Sequence, residues 1–441
     1  MHSASSNNYW FLKLLLNSFE LNGLCYAITG DSSGFEAEIK SDVDLLVTCG
    51  SNDQINRVIV DSLKQHNVYL ANYVEHRNGI CYTFRWLKHN GCFVTLSLDL
   101  CTAISFAGIE YLGAQPLLSR RVRCPFTTLF TLNTTDQFES YLIKKKYKNS
   151  ISLTQLEYLK ILISSPEFDV ECLSSTFERE KLKDFIFALQ DADDVGSPKV
   201  IRQFNLLSLS HNIDVRTRLK SVFAEFWRLC RRVKSPAGFT IVILGPDGCG
   251  KSTAIGSVID SWNLVFRSVK TFHLLPYLTE NRSVPKIISN PHEQNPRNLF
   301  GSILKLFYFV GYYNLGYLLR VLPRKIRAQL TIFDRYFHDI LVDPRRYRQS
   351  ESNQITRIFA KWIPQPDLWL LLNASPSTIQ NRKQEVSFEE SQRQCAAYLS
   401  LFSELGNANV IDAEQTVSKV SIDINMAILN VLNNKALSRI G

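Results

Sequence analysis

Eight consecutive residues, Gly245-Pro246-Asp247-Gly248-Cys249-Gly250-Lys251-Ser252, satisfy the spacing G-x-x-x-x-G-K-[ST]. The apolar run "TIVIL" leads into them, and a helical pattern leaves from Lys251. That order suits a cradle for phosphate. Glycines let successive backbone N–H groups turn inward, and the following helix contributes its positive N-terminal dipole. In such a loop Gly245, Gly248 and Gly250 shape the cradle and Lys251 neutralises the β- and γ-phosphates. Ser252 ligates Mg²⁺, and Thr253 contacts the α-phosphate. The bland alternative is a glycine-rich turn with no ligand.

Further charged residues sit where an open parallel sheet gathers ligands, at the C-terminal ends of strand candidates. Asp334 and Arg335 close the apolar run in "LTIFDRYFHDILVDPRRYR". Asp339, Asp343, Arg345 and Arg346 follow, and two arginines in register with two acids grip a second phosphate or a carboxylate, or else form a helix-start ion-pair cluster. "FHLLP" brings His273 and Pro276 to the end of another strand candidate. A phosphate acceptor in such a site needs only positioning. A hydroxyl acceptor needs a base, for which Asp247 and Asp334 are the candidates.

These residues need a particular scaffold. Over 235–441 the chain alternates "FTIVILG", a helix, "SVKTFHLLP", a long helix, "QLTIFDR", a helix, "DLWLLLN", more helices and "ANVIDA". That βαβα order predicts an α/β domain, a parallel sheet flanked by helices. Residues 1–128 read as a separate α+β domain, with strands at "CYAIT", "VDLLVTC", "CYTFRWL" and "CFVTLSLDLC" and helices over 10–20 and 52–65. Between them, 129–234 reads as a helical connector ended by Ser235-Pro236-Ala237-Gly238.

Composition is that of a globular protein, 45% hydrophobic and 21% charged over 441 residues. The net charge of +9 comes mostly from the segment after Ser235, where 23 Lys and Arg face 16 Asp and Glu. A basic excess beside a phosphate loop suits a small polyanion, and without a continuous basic arm nucleic acid is not expected as a partner. Ten cysteines lack metal-ligand spacing, and "MHSASSNNYWFLKLLL" lacks a basic leader, so reduced thiols in a cytoplasmic protein are expected. "ILKLFYFVGYYNLGYLLRVL" is long enough to span a bilayer, but Lys305, Asn314, Arg320 and four tyrosines lie inside it. It reads as a core helix or a homodimer face, with membrane contact limited to the periphery near Pro323-Arg324-Lys325.

Taken together, "GPDGCGKST", "FDRY", "PDLWLLLNASP" with "NRKQE", and "VIDAEQ" resemble the thymidylate kinase-like branch of the P-loop kinases over nearly all of 238–441. The stretch "NPHEQNPRNLFGSILKLFYFVGYYNLGYLL…FDRYFHDILVDPRRYR" is similar to a bacterial subgroup associated with surface-polysaccharide gene clusters. The resemblance implies ATP as donor and a small-molecule acceptor. Arg335 would hold the acceptor phosphate or the transferred phosphoryl group, Asp334 would organise Mg²⁺, and Asp247 would contact a sugar hydroxyl. Arg382 and Lys383 match a lid that closes on the phosphates; Asp412 and Ala413 match the position that holds adenine. The "DPRRYR" segment departs from thymidylate kinases proper, which opens the acceptor to sugars and sugar phosphates.

A second pattern lies in "YAITGDSSGFEAEIKSDVDLLVTCG". Asp42 and Asp44 alternate along a strand, so they share a face, and Asp99 lies on a later strand that could run alongside. Carboxylates so spaced can hold divalent cations. The stretch 20–105 resembles the nucleotidyltransferase fold of the DNA polymerase β superfamily. It departs at Gly30-Asp31-Ser32, where Asp31 stands in place of the family's serine. The expected activity is thus ATP- and Mg²⁺-dependent phosphotransfer to a sugar, sugar phosphate or nucleoside monophosphate. The alternatives are a true thymidylate kinase, an ATP-dependent switch with a scaffolding first domain, and an enzyme coupling both halves to activate a nucleotide-linked product.

Overall fold

The computed structural model describes residues 8–48, 52–106, 109–124, 126–209, 215–277, 297–349, 353–384 and 386–440. Part of the polysaccharide-cluster resemblance, 290–296, lies outside them. The chain divides into two compact units, Met1–Cys230 with Leu437–Gly441, and Arg231–Ala436.

The first unit carries strands β1 (Tyr26–Ile28), β2 (Val43–Val47), β3 (Tyr69–His76), β4 (Gly79–Leu87), β5 (Phe93–Cys101), β6 (Ala103–Phe106), β7 (Ile109–Gly113), β8 (Val122–Arg123) and β9 (Phe130–Thr131). Seven of them form a mixed sheet in the order β3-β4-β5-β2-β1-β9-β8, and β6 and β7 pair as a separate hairpin. The four expected strands are present as β1, β2, β4 and β5; β3 and β6–β9 were not read from the sequence. Along β5 the alternation is plain: Leu96, Leu98 and Leu100 are buried, while Asp99 takes the other face. The helices between Thr134 and Leu206 share one hydrophobic core with this sheet, Phe138, Leu142 and Phe185 clustering with Ala27 and Leu46. The sheet and the helices up to Cys230 therefore lie within one compact unit.

The second unit is an α/β layer structure. Its strands β10 (Phe239–Leu244), β11 (Val269–His273), β12 (Leu330–Asp334), β13 (Leu368–Asn373) and β14 (Ala408–Asp412) are parallel, in the order β11-β12-β10-β13-β14. All six residues of β10 are buried, as expected of a strand in a parallel sheet covered on both faces. All five fall within the strand segments read from the sequence, four of them as largely apolar runs. Crossovers from β10 and from β12 leave in opposite directions, so the loop after β10 opens at a topological switch point.

The helix Leu299–Gly316 differs in part from a core helix. Leu306, Phe309 and Tyr313 are buried, whereas Phe300, Leu304 and Phe307 on the opposite face are exposed. Among the described residues no helix is long and apolar enough to cross a membrane.

Candidate functional site

The loop that leaves β10 turns on three glycines with positive φ, Gly245 at 146°, Gly248 at 90° and Gly250 at 99°. Space as well as torsion demands glycine at the first: a Cβ on Gly245 would stand 2.7 Å from the Leu372 carbonyl oxygen. The helix Lys251–Trp262 starts immediately after, with Gly250 at its N-cap. Lys251 is buried, and its Nζ donates to the carbonyls of Gly245 and Pro246 at 2.8 Å each, with Asp247 Oδ1 at 3.5 Å. Ser252 and Thr253 are exposed on the first turn. Within the loop, burial pushes the Cys249 thiol up, so it stays protonated.

Asp247 is a hub. Besides Lys251 it takes Arg335 on Oδ1 and Arg346 on Oδ2, the latter at 2.5 Å. Three cations from three parts of the chain thus face one carboxylate. Arg335 leaves the end of β12 with φ at 69°, a left-handed conformation that costs a non-glycine residue about 1–3 kcal/mol. Its N–H donates to the Ile243 carbonyl at 3.2 Å, and its Nη1 donates to Asp339 Oδ2 at 2.7 Å. Asp339 is fully buried and accepts from the hydroxyls of Tyr347, at 2.8 Å, and Tyr398. Burial opposes both charges of this pair. The opposite charge beside each prevails, so Arg335 is held above the usual guanidinium range and Asp339 below the usual carboxylate range.

Next to this network, β11 and β12 pair with His273 opposite Asp334. Asp334 Oδ2 meets His273 Nδ1 at 3.1 Å, and its Oδ1 is buried without a hydrogen-bond partner. Leu274 has φ at 61°, and its carbonyl accepts from Tyr313, which clamps the turn after His273.

The C-terminal side of the site is built by a capped helix. Ser375 accepts from the Thr378 N–H and Pro376 opens the helix Pro376–Arg382, placing Arg382 in its last turn. Both Nη atoms of Arg382 donate to the Ala413 carbonyl at 3.2 Å. Asp412 ends β14 and accepts from the Glu414 N–H at 3.0 Å. Lys383 lies against the loop: its Cβ is 3.2 Å from where a Cβ on Gly248 would be.

The expected residues therefore gather in two groups. Asp247, Lys251, Arg335, Arg346 and Asp339 make one connected network, with Lys383 touching the loop. Arg382 and Ala413 make the other. Arg346 emerges as a partner of Asp247, the first of the two readings that "DPRRYR" left open being a grip on an anion and the second an ion pair. Tyr347 and Tyr398 were not singled out in the sequence; nothing local marks them, since they meet Asp339 only through the fold.

In the first unit, β2 and β5 run parallel with Asp44 opposite Asp99. Each carboxylate has its own side-chain partner, Lys144 for Asp44 and His76 for Asp99, the latter at 2.5 Å. Asp42 is exposed and precedes the first residue of β2. Among the described residues no group of three or more His, Cys, Asp and Glu side chains is arranged to hold a metal ion. Lys144 and His76 were missed in the sequence; Lys144 sits within "IKKKYK", which reads as a solvated helix face.

No protein-family model matches the chain, and no curated protein matches it.

Proposed function

We propose that the second unit is an ATP- and Mg²⁺-dependent phosphotransferase acting on a small acceptor, a sugar, sugar phosphate or nucleoside monophosphate. One observation carries the reading. A glycine-turned loop with a buried lysine opens at the switch point of a parallel sheet, and Arg335 at the end of the neighbouring strand and Arg346 from the turn after Asp343 converge on the carboxylate within that loop.

The residues suit the cofactors. Asp334 offers a buried carboxylate oxygen with no partner, and Ser252 offers an exposed hydroxyl on the first helical turn, a donor pair fit for a hard cation and its waters. When bound, Mg²⁺-ATP supplies the transferable phosphoryl group and the metal charge that screens it. The chain supplies the rest. Loop N–H groups and Lys251 hold the donor phosphates, exchanging the Gly245 and Pro246 carbonyls for phosphate oxygens. Arg335 is fixed by Asp339, so its charge is positioned before any substrate arrives and costs no reorganisation during transfer. Arg346 lies on the acceptor side of Asp247, and Arg382 and Lys383 flank the donor side.

The test is transfer from Mg-ATP by the purified chain to a panel of nucleoside monophosphates, sugars and sugar phosphates, with Lys251→Ala as control. Transfer that the variant abolishes supports the reading. Identical turnover in the variant rejects it. Nucleotidyl transfer by the first unit is a second reading, favoured by the pairing of Asp44 with Asp99. Incorporation of labelled nucleotide lost in Asp44→Asn would support it.

A further inference from the structure

The turn 343–349 has two sides. Arg346 and Tyr347 send their side chains into the Asp247 and Asp339 network, while the carbonyls of Tyr347 and Arg348 face a different set of cations. Arg297 Nη1 donates to the Tyr347 carbonyl at 3.1 Å and the Arg348 carbonyl at 3.4 Å. Lys305 Nζ donates to the same Tyr347 carbonyl at 3.3 Å. Arg297 stands two residues before the helix Leu299–Gly316, whose N-terminus is capped by Asn298, and Lys305 lies in that helix's second turn. The helix dipole adds to the positive charge there.

Among the described residues Arg297 and Lys305 have more donors than acceptors. Among the described residues no carboxylate pairs with Arg297 or Lys305; both meet only carbonyl oxygens, apart from Lys305 lying over the Phe309 ring. Lys305 has three N–H donors and uses one, and Arg297 uses one of its guanidinium nitrogens. Burial, then Arg297 and Arg348, lower the Lys305 ammonium to about 8. Cations driven together with spare donors in a half-buried place are stabilised by an anion with several acceptor oxygens.

We propose that Arg297, Lys305 and Arg348 form a subsite for a second phosphate-class anionic group, carried by the acceptor and bound behind the turn that presents Arg346 to Asp247. Arg297 and Lys305 supply the spare donors, and Arg348 adds its charge. The identity of the carrier rests on the phosphotransferase reading above; the anion site itself does not. It narrows the acceptor to molecules with two anionic groups, such as a sugar bisphosphate or a diphosphate-linked sugar, because one group would meet Arg335 and Arg346 and the other this cluster.

The experiment is calorimetric titration of inorganic phosphate into the full chain carrying Lys251→Ala, which removes the loop lysine and leaves the cluster intact. Adding Arg297→Gln and Lys305→Met should weaken phosphate binding by about tenfold or more, the loss expected when charge-assisted hydrogen bonds to a dianion are removed. Lys305→Arg, which keeps the charge, should retain the binding, and unchanged unfolding midpoints separate this from misfolding. Equal affinity with and without the two substitutions overturns the subsite. A displacement of phosphate by sugar bisphosphates but not by monophosphates assigns the site to the acceptor; displacement by neither leaves a site for free phosphate and overturns the acceptor assignment. Phosphate binding at the cluster together with no transfer from ATP by the wild-type chain would instead reject the phosphotransferase reading while the subsite stood.

Discussion

Arg335 and Asp339 form an ion pair 2.7 Å long, inside a network where Asp339 is wholly out of contact with solvent. Two tyrosine hydroxyls complete the carboxylate's shell, so the pair is both desolvated and saturated. Removing one partner of such a pair leaves the other charge buried alone. Asp339→Ala is expected to cost about 3–5 kcal/mol, read from chemical denaturation. Asp339→Asn should cost less, because the amide oxygen still accepts from Arg335 and Tyr347 and the amide nitrogen can donate to the Tyr398 hydroxyl oxygen. A loss below 1 kcal/mol for the alanine variant would show that Arg335 finds another anion or water.

Lys251 is expected to be indispensable for transfer and dispensable for folding. Its ammonium satisfies two loop carbonyls that can turn to water when it is gone. Lys251→Ala should therefore abolish ATP-dependent transfer while the unfolding midpoint moves by a few degrees at most. If turnover persists, the loop does not hold the donor.

How far was this legible in the chain alone? The five parallel strands were: four are short, largely apolar runs closed by Gly, Asn or Asp, and β11, with Lys and His in it, stood out by its place between two helical patterns and the Pro that follows. Strand β3 was not: "YLANYVEH" mixes Asn, Glu and His into its pattern, and the polar Asn72 is buried in this edge strand along with Leu70, Ala71 and Tyr73. The loop and Asp334-Arg335 were legible from spacing. The partners were not, since Tyr398 reaches Asp339 across 59 residues and Arg346 reaches Asp247 across 99. Register could have paired His273 with Asp334 once the strand order was known, but the order itself is a tertiary fact. The helical stretch reads as independent because its own periodicity is complete; its packing on Ala27 and Leu46, the Lys144–Asp44 pair and the Gln137–Gly30 hydrogen bond, which join it to the sheet, are tertiary facts.

His338 should make stability depend on pH. Its ring is buried against Trp369, with centroids 4.6 Å apart, and its Nδ1 has no partner. Burial lowers its pKa from 6.5 to about 4. Between those values the unfolded chain takes up a proton that the folded chain refuses, so stability is full above pH 6.5 and falls as the pH drops toward 4. The loss attributable to this ring is about 3 kcal/mol. His338→Phe keeps an aromatic ring and removes the titration, so the difference in unfolding free energy between the two proteins should narrow or reverse as pH falls from 7 to 4. A constant difference over that range would mean the imidazole is already protonated, or solvated, in the fold.

On the phosphotransferase reading, Arg346 would serve the acceptor rather than the donor. It reaches Asp247 from the turn after Asp343, whose carboxylate accepts from its N–H at 3.1 Å. Arg335 is anchored by Asp339, whereas among the described residues the Arg346 guanidinium has Asp247 as its one carboxylate partner, so it is the arginine able to exchange Asp247 for substrate. Arg346→Gln should raise the acceptor KM by about tenfold, equivalent to one charge-assisted hydrogen bond, with the ATP KM changing less than threefold. The same substitution frees one oxygen of Asp247, so Asp247→Asn in the Arg346→Gln background should cost less than in the wild type, a coupling that a double-mutant cycle on kcat/KM measures directly. Additive losses would place Arg346 and Asp247 in separate roles, and an equal rise in both KM values would put Arg346 on the donor phosphates.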